Sequence, residues 1–327
     1  MNLRLLINTT ISVLILVFLF YQVPLSEITN LFIQSNELYF WGAVLFAALS
    51  IWVNALRWNI LLKYLGYEYD LKFISNITFI TFFFNVYLPG GIAGDVARVA
   101  MLPSIGNSDE ERKVHLSKIT ASVVTDKIVG LLGIMLLAFL GICFSYDVLK
   151  NSQIFTIFIL ISAGISSVTL LLYSRRVQEL TKAVFALPLK LLSPVKGVVK
   201  EVIDSLLVFR DNYKVLNLVL PISLLGHVFV VIFFILLAES IDVSIDYFKM
   251  SVFIPIIEFV SSLPISLGGL GIREATTIFL FGSENISNAK AMGVSLLSFA
   301  VILIVGAYGG FLYLLRKSNK KKVNKLT

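Results

Sequence analysis

Residues 73–100 read FISNITFITFFFNVYLPGGIAGDVARVA, an apolar run broken at Pro89-Gly90-Gly91 and again at Gly94. It is long enough to enter a membrane, yet proline and glycine in mid-run deny it one unbroken helix. Residues 248–282 repeat the form: FKMSVFIPIIEFVSSLPISLGGLGIREATTIFLFG, broken at Pro264, Gly268, Gly269 and Gly271. Around these two runs lie six segments of the length and apolarity of a simple membrane span: 5–23, 39–62, 121–144, 153–173, 216–238 and 290–315.

Composition agrees with that inventory. Of 327 residues, 57% are hydrophobic and 14% charged, against about 25% charged in a soluble domain. Mean hydropathy is +0.90. A soluble globule, a disordered chain and a disulfide scaffold are excluded on these values. The net charge of +7 gathers in a few short segments, which suits membrane topology better than nucleic-acid binding. Cys143 is the one cysteine, so no internal disulfide or thiolate cluster forms; His115 and His227 are too few for a histidine metal site. No metal and no cofactor is expected. The first apolar stretch has no small-residue cleavage site near Val23 and reads as a retained span.

Charge asymmetry orients the spans. Segments 24–37 and 239–246 carry acids and no base, and read as outside. Segment 174–215 carries eight Lys/Arg against four acids, and the tail from Arg316 carries six bases and no acid; both read as inside. With both termini cytoplasmic, run 73–100 must enter and leave from the inner side and run 248–282 from the outer side. The expected fold is therefore an all-α polytopic membrane protein, with six full spans and two re-entrant helical hairpins. Residues 1–147 form a first repeat of span, span, hairpin and span. Residues 148–327 form a second, inverted one, with an amphipathic inner loop at 174–215 and a basic tail. LPGGIAGDVAR at 88–98 and LPISLGGLGIREA at 263–275 echo one another across the two halves.

Paired Gly/Pro-interrupted segments at matching places point to a transporter binding site; the alternative is a pair of packing kinks. A helix that starts after a glycine turn presents unpaired N–H groups and partial positive charge, and binds anions. Arg98 and Arg273 fall early in such half-helices, and a guanidinium suits a phosphate. The candidate headgroup cradle is Pro89, Gly90, Gly91, Gly94 and Arg98 with Pro264, Gly268, Gly269, Gly271 and Arg273. Asp95 lies three residues before Arg98 and can pair with it on one helix face. A crossed arrangement, Asp95 with Arg273 and Glu274 with Arg98, is the other option. Asp126 and Lys127 either join this site or snorkel to the interface. Glu258 lies within the second hairpin, where it orients an arginine, binds a cationic headgroup or carries a proton. His227 reads as a hydrogen-bonded interior residue, and Asn54 and Arg57 as interfacial ones.

FNVYLPGGIAGDVARVAML, TDKIVGLLG and LPISLGGLGIREA resemble the integral-membrane region of lysylphosphatidylglycerol synthases, a flippase-like family with stand-alone members and members in some glycosyltransferases. The resemblance spans nearly the whole chain. The family usually has Glu-Arg where this sequence has Asp126-Lys127, which keeps the charges and gives up a bidentate contact. It implies movement of a phospholipid or lipid-linked phosphate headgroup between leaflets of the cell membrane. The aminoacyl-transferase domain of the synthases is expected to be lacking, since the sequence stops at Thr327.

Three functions are thus in view. The first is a lipid translocase working by alternating access on a phosphate-bearing membrane lipid. The second is an intramembrane transferase acting on a phospholipid or polyprenyl phosphate, with Asp95 or Glu258 as base and with or without a separate soluble transferase partner. The third is an accessory subunit whose hairpins only pack. No soluble catalytic motif is present, so ATP-driven pumping would need a partner.

Overall fold

The computed structural model describes residues 25–88, 93–103, 108–145, 213–262 and 269–323, with scattered positions between 10 and 21, between 156 and 179, and at 209. Most of the expected spans 5–23 and 153–173 and of the amphipathic loop 174–215 lies outside the described residues. So do Pro89, Gly90, Gly91, Pro264 and Gly268.

Among the described residues every regular element is a helix: α1 (Leu25–Gln34), α2 (Glu37–Tyr64), α3 (Leu71–Tyr87), α4 (Ala93–Met101), α5 (Asp109–Phe144), α6 (Tyr213–Ser240), α7 (Tyr247–Ser262), α8 (Ile272–Gly282) and α9 (Asn288–Val323). Four stretches are long and apolar enough to cross a membrane: Glu37–Tyr64, Asp109–Phe144, Lys214–Ser240 and Asn288–Arg316. They coincide with four of the six expected spans. Helix α5 begins at Asp109, well before residue 121, because Ser108 caps it: Glu111 N–H donates to Ser108 Oγ at 3.2 Å, and the Glu111 carboxylate accepts from Ser108 N–H. The mixed-charge segment ahead of the span is thus an extension of the same helix, with its acids at the N-terminus where the dipole favours them.

Helices α2 and α6 form the centre. They run antiparallel: Asn36 N–H, ahead of α2, donates to Ser240 O at the end of α6 (2.8 Å), while Tyr64 near the other end of α2 meets Phe209. Ala43, Ala47, Ile51, Phe234 and Leu237 build the shared core. Two further pairings flank it. Helix α3 lies along α9, with Tyr87 Oη donating to Leu303 O (2.9 Å) and the Phe79 and Tyr308 rings edge to face. Helix α7 lies along α5, where Phe144 stacks on Phe248.

Both interrupted runs are helix–break–helix units whose two helices pack on each other, α3 with α4 and α7 with α8. The far ends of each unit are held together. Arg316 of α9 donates to Met101 O at the end of α4 (2.7 Å) and covers the Phe73 ring at the start of α3. Lys249, early in α7, pairs with Glu284 just past α8 at 2.7 Å. These two staples sit at opposite ends of the molecule.

Candidate functional site

Sequence dictates the first part of the site through one helix face. In TDKIVGLLG, residues Asp126, Gly130 and Gly133 recur at spacings of four and three, so all three face the same way on α5. The glycines leave room. A Cβ at Gly130 would lie 3.3 Å from Arg57 Nη2, and one at Gly133 would collide with Ser223 Oγ. Into that space α2 inserts Arg57 and α6 inserts Ser223 and His227.

The result is a buried ionic cluster. Arg57 Nε donates to Asp126 Oδ1 at 2.6 Å, and Arg98 Nη1, arriving from α4, donates to Asp126 Oδ2 at 2.8 Å. Arg57 Nη1 donates to Ser223 Oγ (2.8 Å), which in turn donates to Val129 O (3.1 Å). The Arg98 guanidinium lies 4.6 Å over the Trp58 ring, and the Trp58 Nε1–H donates to Ser122 Oγ at 3.0 Å. Relative exposure is 5% for Arg57, 8% for Arg98 and 2% for Asp126. Burial of charge at this depth is costly unless the charges are paired and bonded. Two guanidiniums share one carboxylate, so the trio retains one net positive charge. Next to it Lys127 pairs with Asp95, a neutral combination in which Lys127 keeps 55% of its side chain exposed. His227 is indeed hydrogen-bonded inside, with Nε2 and Gly130 O 2.9 Å apart.

Helix α4 is pinned where the first break ends. Gly94 N–H donates to Asn85 Oδ1 (2.9 Å), and a Cβ at Gly94 would strike Thr81 O and the Asn85 side chain. Only glycine lets the two helices approach this closely.

The second unit is built differently. Gly269 and Gly271 both have positive φ, 79° and 84°, the region that glycine enters without strain. A Cβ at Gly269 would lie 3.0 Å from Ser261 O. Glu274 caps its own helix: Gly271 N–H donates to Glu274 Oε2 at 2.6 Å, and Ser295 Oγ of α9 donates to Oε1 at 3.0 Å. Arg273, also buried, lies 5.6 Å over the Phe299 ring. Glu258, on α7, is half-buried.

Three expectations are corrected, and for Asp126 one of the two alternatives is selected. Asp95 pairs with Lys127 and not with Arg98, because α5 passes α4 and offers Asp126 and Lys127 at adjacent positions. The crossed arrangement is absent for the same reason, with Glu274 committed to the Gly271 cap and to Ser295. Asp126 does not snorkel; it is the hub of the first cluster. Arg57 is buried on Asp126, and Asn54 faces α6 against Gly226, so neither is interfacial. The candidate cradle read from the sequence does not include Arg57, Ser223 or Trp58. A charged residue inside an apolar span was the available signal for Arg57; Ser223 gave none. Among the described residues no group of three His, Cys, Asp or Glu is placed to hold a metal.

This architecture, long apolar helices packed around a cluster of buried charges, is that of a multi-pass membrane protein. The chain belongs to the family described as lysylphosphatidylglycerol synthase TM region, matched over residues 5–310. Comparison with curated proteins returns no match.

Proposed function

We propose that this protein is a lipid translocase that moves a phospholipid or lipid-linked phosphate headgroup between leaflets. The observation that carries the reading is the net positive charge buried on Arg57, Arg98 and Asp126. A cation in so dry a place calls for an anion, and phosphate is the anion that a membrane lipid brings. Arg98 sits in the last turn of α4, the half-helix of the first interrupted run, and its guanidinium is suited to a phosphate.

The packing supports two inverted repeats. Exchanging α2 with α6, α3 with α7 and α5 with α9 turns the α3–α9 pairing into the α7–α5 pairing and leaves α2–α6 unchanged. The staples at Arg316 and at Lys249–Glu284 then close two re-entrant hairpins, one from the basic, inner end and one from the acidic, outer end. Rocking of one repeat against the other would expose the site to each leaflet in turn while acyl chains remain in lipid. Arg273, Glu258 and Glu274, with Gly269 and Gly271, form the second half of the site.

The transferase reading has less support. It needs a general base, and Asp95 is bound by Lys127 while Glu274 is spent on its cap, leaving Glu258. The separating experiment reconstitutes the purified chain in phosphatidylcholine vesicles that contain a fluorescent phosphatidylglycerol. Movement of the label beyond protein-free vesicles, with the lipid chemically unchanged, supports translocation. A new lipid product would replace it with the transferase, and neither movement nor product would remove both.

A further inference from the structure

Where α4 ends and α5 begins, at the Arg316 end of the molecule, a pocket of about 430 Å³ opens beside the site and is separate from it. Val99 of α4, Leu102 just past its end, and Leu116 and Ile119 of α5 make an apolar wall. Arg112 and Lys113 rise at its rim with Asp109, which lies 3.9 Å from Arg112. The rim therefore carries one net positive charge. The pocket floor is held by His115, itself 9% exposed, whose ring nitrogens meet Tyr67 Oη at 2.9 Å and Pro103 O at 3.0 Å.

We propose that this pocket is a loading site where the anionic phosphate headgroup of a lipid docks before it reaches the buried cluster. The volume is that of a small-molecule site. An apolar wall beneath a cationic rim matches a lipid with net negative charge, the rim taking the phosphate and the wall the upper acyl chain. One further feature points to a lipid, and two more connect the pocket wall to the cluster. Val96 of α4 and Val114 of α5, close in sequence to the lining residues, are exposed apolar residues, as is Leu116 of the wall itself, and all three are suited to contact with acyl chains. Val99 directly follows Arg98, so the α4 wall leads into the cluster. On α5, Ile119 is two turns from Asp126, about 10 Å at 1.5 Å per residue. Arg112 and Lys113 lie about four turns, about 20 Å, from Asp126 along α5, so a headgroup at the rim reaches Arg98 by passing down this wall. The direction of that step rests on the translocase reading; the binding itself does not.

The test uses the full chain with a photoreactive benzophenone residue replacing Ala100, which also lines the pocket. It is reconstituted in phosphatidylcholine vesicles containing phosphatidylglycerol. The wild-type rim is expected to give a crosslink to phosphatidylglycerol, and Arg112→Gln or Lys113→Gln each to lower its yield about fivefold, the loss expected for one basic residue near a membrane surface. Both side chains are exposed, so folding is not at stake, and an unchanged circular dichroism spectrum confirms it. Free inorganic phosphate is expected to leave the crosslink intact. Equal yields with and without the rim charges would overturn the site, as would displacement by free phosphate, which would make it a site for the ion and not the lipid. Failure here with transport intact refutes the pocket alone; a crosslink in a chain that moves no lipid upholds the pocket and refutes the translocase.

Discussion

Arg98 of α4 and Asp126 of α5 are joined at 2.8 Å with both side chains buried. That contact fastens the short half-helix α4 of the first interrupted run to the long apolar helix α5. It also uses one carboxylate oxygen only, since the other is taken by Arg57.

Removing the hub should therefore harm the fold more than removing either arm. Asp126→Asn strands two buried guanidiniums and is expected to destabilise by about 3–5 kcal/mol. Arg98→Gln leaves Arg57 and Asp126 as a neutral pair and should cost less. Thermal unfolding in detergent checks the order; equal midpoints for the two variants would contradict it.

How much of this was legible beforehand depends on chemistry of two kinds. The glycine breaks, the apolar runs and the charge at the ends are local signals, and the helix–break–helix units over 71–101 and 247–282 follow from them. Pairing is not local. Asp95 and Arg98 are at the spacing that favours a helical ion pair, yet each takes a partner on α5, because two adjacent opposite charges there outcompete an intrahelical contact. Arg57 could be placed inside an apolar helix from its neighbours, but its carboxylate is 69 positions away and its hydroxyl partner 166. Nor does spacing reveal that Glu274 would turn back to cap Gly271, although Glu at the third helical position is the usual place for it.

Glycine in TDKIVGLLG serves contact and not flexibility. Gly133→Ala places a methyl against Ser223 Oγ, so α5 and α6 must separate where the cluster lies. We expect a loss of about 1–3 kcal/mol and a larger loss of transport than of stability. Gly282→Ala, where the added methyl meets nothing within 4 Å, is the matched control and should leave both nearly unchanged.

In the second unit the constraint is conformational. Gly271 has a φ of 84° immediately ahead of α8. Gly271→Ala should cost about 1–2 kcal/mol, and Glu274→Gln, which weakens the cap and the Ser295 contact, should lower stability further without adding strain. Thermal midpoints of the single and double variants read both effects, and a Gly271→Ala midpoint equal to the parent's would contradict the conformational argument.

The Lys249–Glu284 staple is half-buried at 2.7 Å, so it should be worth no more than about 1 kcal/mol. Its effect is expected in local opening. Glu284→Gln should speed hydrogen exchange in α7 and α8 and leave α2 and α6 unaffected, as read by mass spectrometry. Uniform acceleration across all four helices would show that the pair holds the whole bundle and not one hairpin.

Lipid movement in vesicles tests the phosphate role of the buried cation most directly. Phosphatidylcholine vesicles containing fluorescent phosphatidylglycerol, with wild type or Arg98→Gln at matched protein content, are quenched from outside and the slow phase is timed. Losing a charged hydrogen bond to phosphate is worth about 1.5–3 kcal/mol, a slowing of about tenfold to a hundredfold. A folded Arg98→Gln protein that moves lipid at the wild-type rate would mean that the buried cation only holds helices together.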